Sequence, residues 1–524
     1  MLNTVPKKKI SKRLLRSIIV SMLALVLTFL EPTLYLVSAA ETTTEAAVEK
    51  ATQSAMEYYQ SIEKANADRQ IDSIAGFYGD YMENYQKTSK GIGSETTLKI
   101  TLEPDISALL GMEDFKSVEA SITSMQNSNK SKSNVKLSAN DKSITTLDVL
   151  VDIKNDLVYM LVPELNKAYL KISNKNVSPV TGSYSMMTSS QMMELLNNNP
   201  LTEDLLNKLL KKYSEILLTE VNDVTVYGKE QVYANGVAAD YTKVVVKFDK
   251  KTVVTTTEKV LKAVKEDTDL LNLCVAFNIC TKKEYDSRIK KALEDNEIQK
   301  KALETDSAMN SNFATMTLYV DGNGIIVGRE FAFDAASKIP SFGYKTTKNG
   351  NNTGVEAWYK DTDKEELKFV GKVATENDAK SGEVSFLYTD TEGKKTQPIN
   401  LVLDNLKVIT VGTGSAIDGK FTITGDIMKD ISIVADCSGS GTQQVMDMDV
   451  LQADKRIVKV YMKTLLLDYQ DFKLPSKSDV VYDMNTEMEK YLSSSDVKKF
   501  LQGINEKIDI KVINLYLDQM ISLY

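Results

Sequence analysis

The chain has 524 residues, 72 acidic against 64 basic side chains, a formal net charge of −8, three cysteines and no histidine. The missing histidine excludes Ser–His–Asp and Cys–His catalysis, histidine-ligated zinc and histidine acid–base work. The acidic balance argues against nucleic acid and anionic head groups as partners, while carboxylate-pair chemistry and oxygen-ligand calcium sites survive.

The N-terminus reads as an export leader. Lys7, Lys8, Lys9, Lys12, Arg13 and Arg16 precede an apolar run, Ser17–Leu30, of 14 residues. Small residues at Val37 and Ala39 place cleavage after Ala39, with Ala40 as the neighbouring choice. A bilayer core takes about 20 residues, so a cleaved signal peptide over 1–39 is favoured over an uncleaved anchor using both sides of Glu31 and Pro32. The mature chain is then secreted, or sits at the extracellular face of the cell envelope.

Residues 40–95 form an N-terminal helical segment. Within it Val48, Ala51, Ala55, Met56, Tyr59 and Ile62 make one apolar stripe at helical spacing over Glu45–Tyr85. The glycines of Thr88–Thr97 then break the pattern. Residues 96–250 form a first β-rich half. In LDVLVDI, Leu147, Val149, Val151 and Ile153 share one face and Asp148 and Asp152 the other. Such alternation makes a sheet with one buried and one wet face. Phe115–Met125, Val135–Ser138, Leu157–Val162 and Ala168–Ile172 complete a meander of five or six strands.

A helical insert over 188–219 interrupts this half, with Asn199 as N-cap and Pro200 at the first helical position. Val224–Val232 and Ala238–Phe248 follow as a hairpin turning at Asn235-Gly236, where both residues tolerate positive φ. A second helical insert spans 251–311, with capping boxes at Thr255/Glu258 and Thr281/Glu284. Residues 312–467 form a second β-rich half, with turns at Asp321–Gly324, Asp418-Gly419 and Gly439–Gly441. Residues 468–524 form a C-terminal helical segment, helical from Ser476 to about Lys507, whose tail IDIKVINLYL is ambiguous.

Cys274 and Cys280 stand six positions apart. In one continuous helix they would lie roughly 9 Å apart along the axis, beyond the about 7 Å a disulfide tolerates. The Thr281/Glu284 cap instead ends one helix near Ala276–Asn278 and turns the chain between the cysteines. That brings a disulfide into range, with two reduced, buried, small apolar residues as the competing reading. Three cysteines without histidine make a weak zinc set, and the spacing is not that of a redox pair. Cys437 is left over, in a strand.

Asp361, Asp363 and Glu365 alternate in DTDKEE, and DGNG supplies oxygens at a tight turn, but neither extends into a calcium loop. Both read as solvated turns. No catalytic residue, metal or cofactor is expected. The single tryptophan, Trp358, reads as core or rim.

The runs DLVYMLVPELNKAYLKI, DTDLLNLCVAFNICTKKEYDSRIKKALEDN and TLYVDGNGIIVGREFAFD resemble uncharacterised exported proteins of Gram-positive bacteria. More distantly, the arrangement resembles the LolA- and LppX-like lipoprotein carriers. That likeness implies a strongly bent antiparallel sheet wrapping a few helices and sheltering an acyl chain. The chain departs from those carriers in lacking a lipobox cysteine and in being about twice as long.

The expected fold is therefore α+β: large antiparallel, strongly curved, half-barrel-like sheets with helical inserts and terminal helices. The expected function is non-enzymatic. A lipid or other amphiphile is bound in a curved-sheet cleft, or a structural, adhesive surface contacts a cell-wall component and no small ligand. A carboxylate-dependent glycosidase is the remote alternative, and nucleic acid is not expected as a partner.

Overall fold

A computed structural model describes residues 54–109, 114–173, 200–218, 221, 223–277, 279–304, 311–334, 339–362, 364–411, 414–507 and 517. The leader 1–39 with Ala39 and Ala40, the Asn199 cap, Asp363 and most of the IDIKVINLYL tail lie outside them.

In chain order, α1 (Ala55–Ser89) leads into β1 (Ile92–Leu102) and α2 (Pro104–Leu109). Five strands follow: β2 (Ser117–Gln126), β3 (Lys130–Ala139), β4 (Lys142–Asp152), β5 (Leu157–Leu161) and β6 (Tyr169–Ser173). Helix α3 (Glu203–Leu218) precedes the hairpin β7 (Asp223–Ala234) and β8 (Val237–Asp249). The second insert is α4 (Lys250–Glu266), α5 (Thr268–Ala276) and α6 (Lys282–Glu304). Then come β9 (Asn312–Val320), β10 (Ile326–Phe333), β11 (Ser341–Asn349), β12 (Asn352–Lys360), β13 (Glu366–Glu376) and β14 (Ala379–Thr389). The remaining strands are β15 (Lys395–Val411), β16 (Gly414–Thr424), β17 (Ile431–Ser440), β18 (Gln443–Gln452), β19 (Lys455–Leu467) and β20 (Val481–Asp483). Helices α7 (Met488–Ser493) and α8 (Val497–Lys507) close the order. The protein is thus α+β, a large and mostly antiparallel sheet of twenty strands with helical inserts.

The chain divides into two compact units. Taken over the described residues alone, the first lies within 54–78, 201–376 and 382–398, and the second within 79–200, 377–381 and 399–517.

In the first unit β7 to β13 run as an antiparallel meander, each strand on the next. The β7–β8 turn has Asn235 at φ 41° and Gly236 at φ 78°, as the Asn-Gly pair requires. Alternation supplies the core. Val244 and Val246 of β8 lie opposite Leu318 and Met316 of β9, and Val244, Val246, Leu318 and Val320 are completely buried. Each such side chain contributes about 1.5–3 kcal/mol by leaving water. Helix α1 starts at a capping box, Ser54 N–H to Glu57 Oε2 at 2.8 Å and Glu57 N–H to Ser54 Oγ at 3.3 Å. It lays Tyr59 and Ile62 onto that core.

The two hairpin ends of this unit also meet. Thr347 Oγ1 donates to the Val237 carbonyl at 2.9 Å, and Tyr241 Oη accepts from the Lys348 N–H at 3.1 Å. Gly354 sits so close to the Ala234 carbonyl that a Cβ would be driven into it.

In the second unit β1 to β6 form the expected six-strand meander, and β19 pairs with the free side of β1. Strands β15 to β19 continue antiparallel, and β20 runs parallel to β6. The registers align one apolar row, Phe421–Ala435–Met448–Val460–Ile100–Val118, across six strands. The adjacent row, Asp447–Tyr461–Lys99–Glu119, is polar. Most side chains of these strands are half-buried.

Several local expectations are corrected. Strand β1 begins at Ile92, inside the stretch read as a break. Helix α3 starts at Glu203, not Pro200, because Thr202 caps it: the Leu205 N–H reaches Thr202 Oγ1 at 3.1 Å. Helix α4 starts at Lys250 with Asp249 as N-cap, which leaves Thr255 in its interior and removes the proposed Thr255/Glu258 box. Gly419 is no turn. It stands inside β16 at φ 117°, opposite a bulge where the register shifts between Asp404 and Lys407. After Ser476 the described chain makes a turn and β20 before helix resumes at Met488.

Candidate functional site

In the first unit, α1, α3 and α4 stand over one face of β8–β10 and border an open cleft of about 570 Å³. Tyr59, Glu63 and Ala67 of α1 line it at spacings of one helical turn. Leu217 and Leu218 end α3 there, and Val253, Val260 and Leu261 contribute the inner side of α4. The floor is Phe248, Met316, Arg329 and Phe331. Thr257, also on the wall, turns its hydroxyl back to the Val253 carbonyl at 2.8 Å, which removes a polar group from the lining. A mostly apolar cleft of this size with few polar groups is the usual form of a small-molecule site.

One ion pair stands in the wall. Arg329 Nη1 and Nη2 donate to Glu63 Oε1 and Oε2 at 2.7 and 2.6 Å, a bidentate pair in which the Glu63 side chain is only 5% exposed. Burial, reinforced by the Glu63 carboxylate, pushes the neighbouring Tyr59 hydroxyl far up from its ordinary pKa. Simple alternation from Ile326 would send Arg329 to the opposite face. The register of β10 on β9 shifts between Ile326 and Gly328, and this bulge turns Arg329 and Phe331 inward, opposite Leu318 and Met316.

The helical insert is tied down by two carboxylates. Asp267 caps α5 through the Leu270 N–H at 3.0 Å and accepts from Lys212 Nζ at 2.7 Å and Tyr213 Oη at 3.0 Å. Burial pushes its carboxyl up, but those three donors outweigh it and hold the pKa below the ordinary value. Glu258 bridges α4 and α6, accepting from Lys262 at 2.6 Å and Lys300 at 2.9 Å, and these bonds bring its pKa down to about 2.

The residues singled out in the sequence are placed as follows. Cys274 stands near the end of α5 and Cys280 just before α6, both half-buried thiols, with the chain turning between them. The Thr281/Glu284 box is formed, with Thr281 N–H to Glu284 Oε2 at 2.8 Å. Cys437 is buried in β17, and burial raises its thiol pKa. The DGNG turn is solvated at Gly322 and Asn323, as expected, and is also docked at Gly324. Asn66 Nδ2 and Arg69 Nη2 of α1 both donate to the Gly324 carbonyl at 3.0 Å, and Asp321 Oδ1 accepts from the Asn323 and Ile325 N–H groups. Asp361 accepts from the Thr362 N–H at 2.6 Å, while Glu365 accepts from Tyr388 Oη at 3.2 Å. No group of three or more acidic or cysteine side chains could hold a metal among the described residues. Trp358 is half-buried in β12, opposite Gly343 and Lys368.

Sequence reasoning missed Glu63, Arg329 and Asn66. A signal for two of them was present: Glu63 and Asn66 fall four and seven positions after Tyr59, on the apolar stripe.

No protein-family model and no curated protein matches the chain. Among solved structures, a triple mutant of the Rhodopseudomonas blastica porin is similar at 7% identity and a TM-score of 0.19, over 72% of this chain and 99% of that one. A structure titled "Asymmetric conductivity of engineered proteins" is similar at 8% identity and a TM-score of 0.20, over the same shares. Likeness at this level bears on neither mechanism nor ligand. No helix among the described residues is long and apolar enough to cross a membrane.

Proposed function

We propose that this chain is an exported, non-enzymatic envelope protein that holds a lipid or other amphiphile in the cleft beneath α1, α3 and α4. The observation that carries this reading is the lining. About 570 Å³ is lined mainly by apolar side chains, with the hydroxyl residues Ser214, Thr252, Thr256 and Thr257 and a single ion pair whose charges cancel. An acyl chain gains about 0.8 kcal/mol for each methylene it buries there, and a polar head group finds the guanidinium–carboxylate pair at the wall. Strands at the floor and helices above are the arrangement implied by the likeness to LolA- and LppX-like carriers. The cleft is lined by one carboxylate, Glu63, bound at both oxygens by Arg329, which favours holding over glycoside cleavage by an acid pair.

Mass spectrometry of an organic extract of the purified full chain tests the reading. Stoichiometric lipid is the expected result. Its absence, together with no uptake from added fatty-acid micelles, removes the proposal.

A second reading, a structural or adhesive surface protein, is favoured by the second unit. Its sheet carries a row of mostly half-buried apolar side chains six strands wide on one face, with a charged row on the opposite face. Co-sedimentation with purified cell-wall material, in the absence of any extractable lipid, would select it.

A further inference from the structure

We propose that Cys274 and Cys280 form a disulfide that locks the turn between α5 and α6. Helix α5 ends at Ala276, and the Phe277 N–H closes its last turn on the Leu273 carbonyl. The chain then folds back, so that the Ile279 and Cys280 N–H groups both point at the Cys274 carbonyl, at 2.9 and 3.5 Å. This brings the backbones of the two cysteines together on either side of the turn. Cys280 is held from the other side, since Thr281 directly after it caps α6 through Glu284. A cysteine pair fixed at both ends and brought together by the turn has little freedom to lose on bonding, which is the condition for an unstrained, stable bridge. Both thiols are half-buried, so a small disulfide reaches them. Cys437 is 2% exposed and is not reached.

The chemistry is thiol–disulfide exchange with a small-molecule disulfide such as oxidised glutathione. One cysteine thiolate attacks a glutathione sulfur, breaking that S–S bond and releasing one glutathione thiolate. The second cysteine then attacks the protein-bound sulfur of the mixed disulfide, forming the Cys274–Cys280 bond and releasing the second glutathione. The protein loses two protons and two electrons, and both are carried by the two glutathione thiols formed. The inference does not depend on which ligand the cleft holds.

The test is to equilibrate the native full chain in a buffer of oxidised and reduced glutathione, quench with acid, alkylate under denaturing conditions and map the peptides. The expected product carries a Cys274–Cys280 cross-link with Cys437 alkylated. In Cys274→Ser the same treatment is expected to leave glutathione on Cys280 and no cross-link. Limited proteolysis within 277–281 is expected to be slower in the oxidised form by on the order of tenfold. Glutathione retained on either cysteine of the wild-type chain without a cross-link, both thiols alkylated, or a cross-link to Cys437 would each overturn the proposal.

Discussion

Arg329 faces the cleft because one extra residue enters β10 between Ile326 and Gly328, and it is tolerated there because Glu63 meets both of its terminal nitrogens. Removing one member of a buried pair leaves the other charged and unsolvated. Glu63→Gln is therefore expected to lower unfolding stability by about 3–5 kcal/mol, read from urea denaturation. The double substitution Glu63→Leu with Arg329→Met is expected to recover most of the loss, because the apolar pair needs no desolvation of charge. A single-variant loss under about 1 kcal/mol would show that the pair is solvated. Acid stability has a residue-scale origin too. Lys262 and then Lys300 hold the Glu258 pKa at about 2, below its ordinary 4.5. A carboxyl with a depressed folded-state pKa adds stability that is full above the unfolded value and disappears as protons bind. The loss is expected as pH falls from about 4.5 to about 2, with Asp267 acting in the same direction. Thermal midpoints of the wild type and Glu258→Gln across that window check it: the two curves should converge at the acid end.

At the scale of elements, most of what was legible in the sequence was local. The Asn235-Gly236 turn, the Thr281/Glu284 cap and the alternation through β8 each depend on residues within a few positions of one another, and each is formed. In β4, by contrast, the expected buried face of Leu147, Val149 and Val151 is only half-buried, and the buried residue is Leu150, of the same parity as Asp148 and Asp152. Thr281→Ala is expected to cost about 1 kcal/mol in thermal or urea unfolding, the ordinary effect of losing such a cap. Errors arose where two local signals competed. Thr255 and Asn199 are both acceptable caps by spacing, but Asp249 pre-empts the first by ending β8 at the point where α4 begins, and Thr202 caps α3 in place of the second. Non-local facts were not legible. Nothing near Ile100 says that Val460 lies beside it, and nothing in IVGREFAF announces a bulge. Gly354 belongs to the same class. Its lack of a side chain lets β12 approach the Ala234 carbonyl, a contact 120 positions away. Gly354→Ala is expected to destabilise the chain measurably while Gly322→Ala, with open space around it, is not; equal effects in urea unfolding would contradict that distinction.

At the scale of the molecule, the two units differ in how they bury apolar surface. The first has a core of completely buried valine and leucine and, over it, an open cleft bordered by helices. The second distributes apolar side chains along half-buried rows. The cleft, rather than any titratable cluster, is therefore where function is placed. Its ion pair, Glu63 and Arg329, comes from segments more than 260 positions apart, which is why composition and spacing alone left a binding and a structural reading side by side and located no cleft. The most direct test is displacement of a fluorescent fatty acid from the purified chain, set beside the same titration of Val260→Trp, which fills the cleft from α4. Saturable binding near one equivalent in the wild type, lost in Val260→Trp while the thermal midpoint is retained, is the expected result. No saturable binding by the wild type, or equal binding by the filled variant, would contradict the claim that this cleft holds the ligand.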